Sequence, residues 1–232
     1  MVSLLGFIPS LVISGLDWYA VARDRKRLEY FSKPGVIVGL LIWVFIIVGW
    51  PLGLSFPVQL IGWFVLGLGF SLIGDILLML PGRRLLPALA SFLIAHLMYI
   101  RGLEGLWIPR KFLGPVLLLG LLILPVVLRF LLQAWKVLSE TGKEGLRLPI
   151  ALYLLVISVT LFSGFSRMLV WEWQPLSCYL VAGGVFLLFF SDILFAERAF
   201  LSEARPTRLS VHVTYHLGQI ALITGALSHF LG

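Results

Sequence analysis

Eight apolar runs, each long enough to cross a bilayer and separated by short polar gaps, constrain this chain more than any other feature. They fall at roughly 3–21, 34–50, 57–80, 85–102, 112–132, 148–170, 175–197 and 209–231. A hydrocarbon core of ~30 Å takes about 20 residues of helix at a rise of ~1.5 Å per residue. Inside that core a helix satisfies its own backbone donors and acceptors, whereas irregular chain does not. Of the 232 residues, 60% are hydrophobic and only 12% charged, which leaves too little polar surface for a water-soluble fold of this length. The expectation is an all-α integral membrane protein, a bundle of eight transmembrane helices in a single domain over 1–232. The gaps leave no room for a soluble catalytic domain, so any chemistry must lie within the membrane or at its rim.

The net charge of +7 does not point to nucleic acid, because the basic residues sit in the gaps flanking apolar runs. Arg23, Arg25, Lys26, Arg27 and Lys33 follow the first run. Arg83 and Arg84, then Arg129, Lys136, Lys143 and Arg147, then Arg198, Arg205 and Arg208 fall on the same side. Arg101, Arg110, Lys111 and Arg167 are left for the other side. The positive-inside bias therefore predicts cytoplasmic placement of the basic gaps and both termini outside, in the cell membrane if the chain is bacterial. Met1-Val2-Ser3 carries no basic n-region, so no signal peptide is expected. The lone Cys178 excludes an intrachain disulfide and a cysteine-based metal site. GDILL at 74–78 echoes SDILF at 191–195, and His-Leu recurs at 96–97 and 216–217. A parallel four-plus-four duplication would account for this; so would chance similarity between apolar helices.

Against this apolar background the ionisable residues are conspicuous. Asp75 lies in SLIGDILLML, about six residues or ~9 Å from the inner edge of the third span. Asp192, in LLFFSDILF, has a similar depth, and Asp17 precedes the first basic gap. Tyr153 comes from the inner end of the sixth span, and Lys33 opens the second. His212, Tyr215, His216 and Gln219 share one face of the eighth at i, i+3, i+4 and i+7. His96 and Tyr99 lie deeper in the fourth. Polar side chains from six or seven helices thus gather in the cytoplasmic half. Trp18, Trp43, Trp50, Trp63, Trp107, Trp171 and Trp173 read as interfacial anchors, and Gly35/Gly39 as a close helix contact.

A carboxylate at membrane depth costs ~2.5–3.5 kcal/mol on insertion scales, and such residues pair inside the bundle or mark a functional path. The plain alternative for Asp75 is an ion pair with Lys33 that holds helices in register. For Asp17 the alternative is a boundary residue beside Arg23, and for His96 an interhelical hydrogen bond. Two carboxylates in one poorly hydrated cavity can divide acid and base roles, one protonated and one ionised. Asp75 and Asp192 are the candidate catalytic pair, and no cofactor is required. No GxSxG nucleophile motif occurs. His212 and His216 form an HxxxH that would hold a metal if Asp75 or Asp192 completed the site. That leaves two rival readings open: a metal-dependent intramembrane lipid hydrolase or amidase, and a non-enzymatic lipid transporter or binding protein.

Taken in order, Lys33-Pro34, SLIGDILLML, AHLMY at 95–99, Tyr153, FFSDILFA at 189–196 and TYHLGQ at 214–219 resemble the YhhN family of multi-pass membrane proteins, which includes the eukaryotic lysoplasmalogenases. His216 departs from that resemblance, standing where the family often has another aromatic. The resemblance implies hydrolysis of the sn-1 vinyl ether of lysoplasmalogens to a fatty aldehyde and a glycerophospho-headgroup. It implies a lysophospholipid substrate whose phosphate lies among Lys33, Arg83, Arg84 and Arg208. One aspartate would protonate the vinyl carbon and the other would orient or deprotonate the attacking water. Lys33, His96, Tyr99, Tyr153, Tyr215, His216 and Gln219 would shape the substrate pocket.

Overall fold

Every apolar run becomes a helix in the computed structural model, which describes residues 4–49, 59–82, 84–104, 113–142, 144–169, 173–201 and 207–232. The helices are α1 (Ile8–Ala22), α2 (Lys26–Val48), α3 (Leu60–Met79), α4 (Leu85–Gly102), α5 (Leu113–Glu140), α6 (Arg147–Ser166), α7 (Pro175–Ala196) and α8 (Arg208–Leu231). No strand occurs among the described residues. A 3-10 turn, Leu4–Phe7, leads into α1, and a π-helical turn, Glu197–Leu201, follows α7. Trp50, Trp107, Trp171, Arg83, Arg110, Lys111, Lys143 and Arg205 lie outside the described residues.

Seven helices, α1 to α7, are long and apolar enough to cross a membrane. The eighth is 24 residues long and so also has the length, but its apolar character is diluted by His212, His216 and Gln219. Those residues are buried, and α8 packs against α7, α1, α2 and α3. A helix wrapped by other helices need not be apolar all round, because its polar side chains meet protein and not lipid. The outer surface is the opposite. Phe31, Ile46, Leu117 and Leu132 are exposed while Asp17, Asp75 and Arg167 are fully buried, the arrangement expected of a chain whose surface meets hydrocarbon.

Two boundaries differ from expectation. α2 begins at Lys26 and runs through Pro34, so Lys33 sits two turns inside the helix and does not open it. Proline inside a helix forfeits one backbone bond, a loss that transmembrane helices tolerate where neighbours re-satisfy the freed group. α5 continues eight residues beyond 132 to Glu140. Its last turns carry the exposed Lys136 and Glu140, four residues apart with Nζ and Oε1 3.9 Å from each other.

The predicted GxxxG contact forms between α1 and α2. A Cβ on Gly39 would lie 2.6 Å from Ser10 Oγ, and one on Gly35 3.3 Å from Ile13 Cγ2. The tryptophans divide. Trp43 and Trp173 are core residues and not anchors, whereas Trp18 and Trp63 are half-buried. Trp63 lies under the Arg101 guanidinium, 5.9 Å from the ring centre.

Candidate functional site

Small residues on one face of α3 create the space from which the site is built. A Cβ on Gly67 would strike the Tyr99 ring at 2.2 Å, and one on Gly74 would meet the Phe92 ring at 2.8 Å. Their absence lets α4 lie close to α3, with Ser71 and Asp75 on the same buried strip. The Tyr99 hydroxyl donates to Gln219 Oε1 at 2.8 Å, and Gln219 Nε2 donates to Ser71 Oγ at 3.2 Å. The Ser71 hydroxyl, 3.3 Å from Tyr99 Oη, closes the ring of three. Each member is satisfied, so the ring fixes α3, α4 and α8 relative to one another.

One turn further towards the Met79 end of α3 lies Asp75, whose two oxygens are both engaged. Lys33 Nζ is 3.0 Å from Oδ1, and the Tyr215 hydroxyl donates to Oδ2 at 2.9 Å. The ion pair weighed as the plain alternative therefore forms, and it does so in a cavity wall. Asp192, half-buried near the end of α7, accepts from the Tyr153 hydroxyl at 2.9 Å and faces His96 Nε2 at 3.0 Å. The other ring nitrogen, Nδ1, is 3.1 Å from Thr160 Oγ1, whose own proton goes to the Val156 carbonyl at 3.0 Å. Nδ1 must therefore carry a hydrogen, and Nε2 shares one proton with the Asp192 carboxylate.

Both aspartates line one narrow cleft, together with Lys33, Phe92, Tyr153, Phe195 and Tyr215. Two further cavities share walls with it. A wider vestibule of about 290 Å³ is lined by Lys26, Lys33, Arg198 and Arg208 with Glu29 and Tyr30. A narrow apolar pocket between α4, α5, α6 and α7 is lined by Leu89, Phe130, Leu154 and Ile157, with Tyr153 and Asp192 on its margin. Phe195 belongs to all three. Among the expected phosphate-facing residues, Lys33 and Arg208 line the vestibule and Arg84 does not. Lys26 and Arg198 take part in addition.

Of the residues expected to bind substrate, Lys33, Tyr153 and Tyr215 border the cleft. His96, Tyr99 and Gln219 stand behind that wall and hold it. His216 is fully buried, neither ring nitrogen has a hydrogen-bond partner, and Nδ1 is 3.8 Å from Asp17 Oδ2. The HxxxH histidines turn towards Asp17, not towards Asp75 or Asp192. The described residues contain no group of three or more His, Cys, Asp or Glu side chains arranged to hold a metal ion.

One cluster escaped the sequence-based expectation. Asp17 is fully buried and is no boundary residue. Its Oδ2 lies 2.7 Å from His212 Nδ1, and Ser32 Oγ donates to Oδ1 at 2.8 Å. His212 Nε2 lies 3.9 Å from Glu29 Oε1, and Glu29 is paired to Arg208. His212 borders both the vestibule and the cleft. The HxxxH spacing flagged His212, but nothing in the sequence joins it to Asp17, 195 positions away.

No curated protein and no solved structure shows a significant match to the chain. A family model, that of the YhhN family, matches residues 28–226 and so takes in α2 to α8 and every cleft residue described above. With most of its length matched, the chain belongs to the YhhN family.

Proposed function

We propose that the protein is an intramembrane lipid hydrolase of lysoplasmalogenase type, cleaving the sn-1 vinyl ether of lysophospholipids. One observation carries this reading. Two carboxylates face a single cleft between a cationic vestibule and an apolar pocket. That order matches a lysolipid laid out as phosphate, ether bond and hydrocarbon chain. Family membership supports a hydrolase in general; the vinyl ether is the more specific step.

In this scheme Lys26, Lys33, Arg198 and Arg208 attract the phosphate, and the chain lies along Leu154 and Ile157. The proton shared by His96 and Asp192 passes to the vinyl carbon, leaving an oxocarbenium ion. The Asp75 side chain, beside Lys33 at 3.0 Å, stabilises that cation as it forms. Water adds to the oxocarbenium carbon, and the hemiacetal collapses to aldehyde and alcohol.

The test is to incubate the purified protein in detergent with alkenyl, acyl and alkyl lysophospholipids and to measure aldehyde. Aldehyde should arise from the alkenyl lipid alone. Asp75→Asn and Asp192→Asn should each lower turnover by about 10²-fold or more, within the range typical of acid–base groups, with Asp192→Asn as stable as the parent and Asp75→Asn less so because it strands Lys33. Near-native rates in both variants would remove the aspartates from the chemistry.

A further inference from the structure

Vinyl-ether hydrolysis needs a base for the attacking water, and the two aspartates are poorly disposed to be it. Both oxygens of Asp75 are engaged, by Lys33 at 3.0 Å and Tyr215 at 2.9 Å. Asp192 is engaged by His96 at 3.0 Å and Tyr153 at 2.9 Å. His212 differs. Its Nδ1 is committed to Asp17 at 2.7 Å, and Asp17 is itself fixed by Ser32 at 2.8 Å. Among the described residues the Nε2 of His212 has no hydrogen-bond partner, Glu29 Oε1 lying 3.9 Å away, beyond hydrogen-bond reach. The imidazole borders both the cleft and the vestibule. A buried carboxylate holding Nδ1–H leaves Nε2 as the acceptor, the arrangement that orients histidine bases in hydrolases.

Resting on the hydrolase reading above, we infer that His212, positioned by Asp17, is the base that takes the proton from the attacking water. His96–Asp192 gives its proton to the β-carbon of the vinyl ether, and the C=C pair forms the new C–H bond. Water oxygen then bonds to the oxocarbenium carbon as its proton moves to His212 Nε2. On collapse the hemiacetal hydroxyl returns a proton to His96–Asp192 and the C–O bond to glycerol breaks. The leaving oxygen takes the proton held on His212. Both groups are restored and no further reactant is consumed.

Asn at 212 keeps a donor for Asp17 and lacks Nε2, so His212→Asn should fold while losing the base. With the alkenyl lysophospholipid in detergent, its kcat should fall by about 10²-fold or more with KM little changed. His212→Ala should lose as much and recover part of its rate as imidazole is added. Asp17→Asn should also lose kcat, as a positioning residue does. Aldehyde release by the wild-type chain together with near-native kcat in His212→Asn would overturn the assignment of the base alone. No aldehyde from the wild-type chain would overturn the vinyl-ether reading and this inference with it.

Discussion

Asp75 and Lys33 show what a buried ion pair does in such a bundle. Their side chains are 1% and 11% exposed, so removing one partner strands a charge away from water. Breaking a pair of this kind costs about 3–5 kcal/mol, whereas removing both charges is often neutral. Lys33→Met should therefore lower thermal stability in detergent sharply. Lys33→Met combined with Asp75→Asn should recover most of it while remaining inactive, and thermal unfolding of the three proteins distinguishes these cases. The sequence offered the pairing only as the alternative to a catalytic role for Asp75, since both residues lie near the ends of neighbouring spans. Asp17 was not. Six positions from Arg23 it resembles a boundary residue, and only α8 crossing α1 puts His212 against it and excludes water.

At the level of elements, the tightest contact is α7 against α8. A Cβ on Gly184 would lie 2.5 Å from the Leu222 backbone nitrogen, and one on Gly218 3.0 Å from that of Leu188. Backbone cannot step aside as a side chain can. Gly184→Ala should push the helices apart at a cost of about 1–3 kcal/mol, while Gly183→Ala, with open space around its Cβ, should leave thermal stability unchanged. Since Ser191 of α7 donates to the Val211 carbonyl of α8 at 3.0 Å beside the cleft, the first variant should also lose activity. α6 carries a different consequence. Ile157 and Leu154 line the apolar pocket, so Ile157→Trp should fill it and shift the rate towards shorter alkenyl chains, measured across a chain-length series. Helix starts and stops were read well where Pro and Gly punctuate lipid-length runs, as at 85–102. They were read less well at α2 and α5, where a helix outlasts its apolar stretch because neighbours or water satisfy the extra turns.

Over the whole molecule, charge sets the expected orientation. Arg167, one of four basic residues assigned to the outer side, is fully buried. Its guanidinium lies 3.3 Å from Glu104, which also accepts from Trp173 Nε1 at 3.3 Å, and the Trp173 ring stacks on His229 at 3.9 Å. This clasp ties α4, α6, α7 and α8 together at the end opposite the cleft. It leaves the outer surface with less exposed basic charge than the residue count implies. In sealed cells of a Cys178→Ser background, Arg101→Cys should react with a membrane-impermeant maleimide and Arg25→Cys should not. The reverse pattern would invert the orientation. By itself the sequence determined the membrane class and the helical runs, because hydrophobicity and helical rise are local and additive along the chain. Which carboxylate meets which partner was decided only by tertiary structure. Asp75 with Lys33 and Tyr215, Asp192 with His96 and Tyr153, and Asp17 with His212 join helices far apart in the chain. Their distances depend on how small residues such as Gly67, Gly74 and Gly184 let those helices close, a property of packed surfaces and not of any single run of residues.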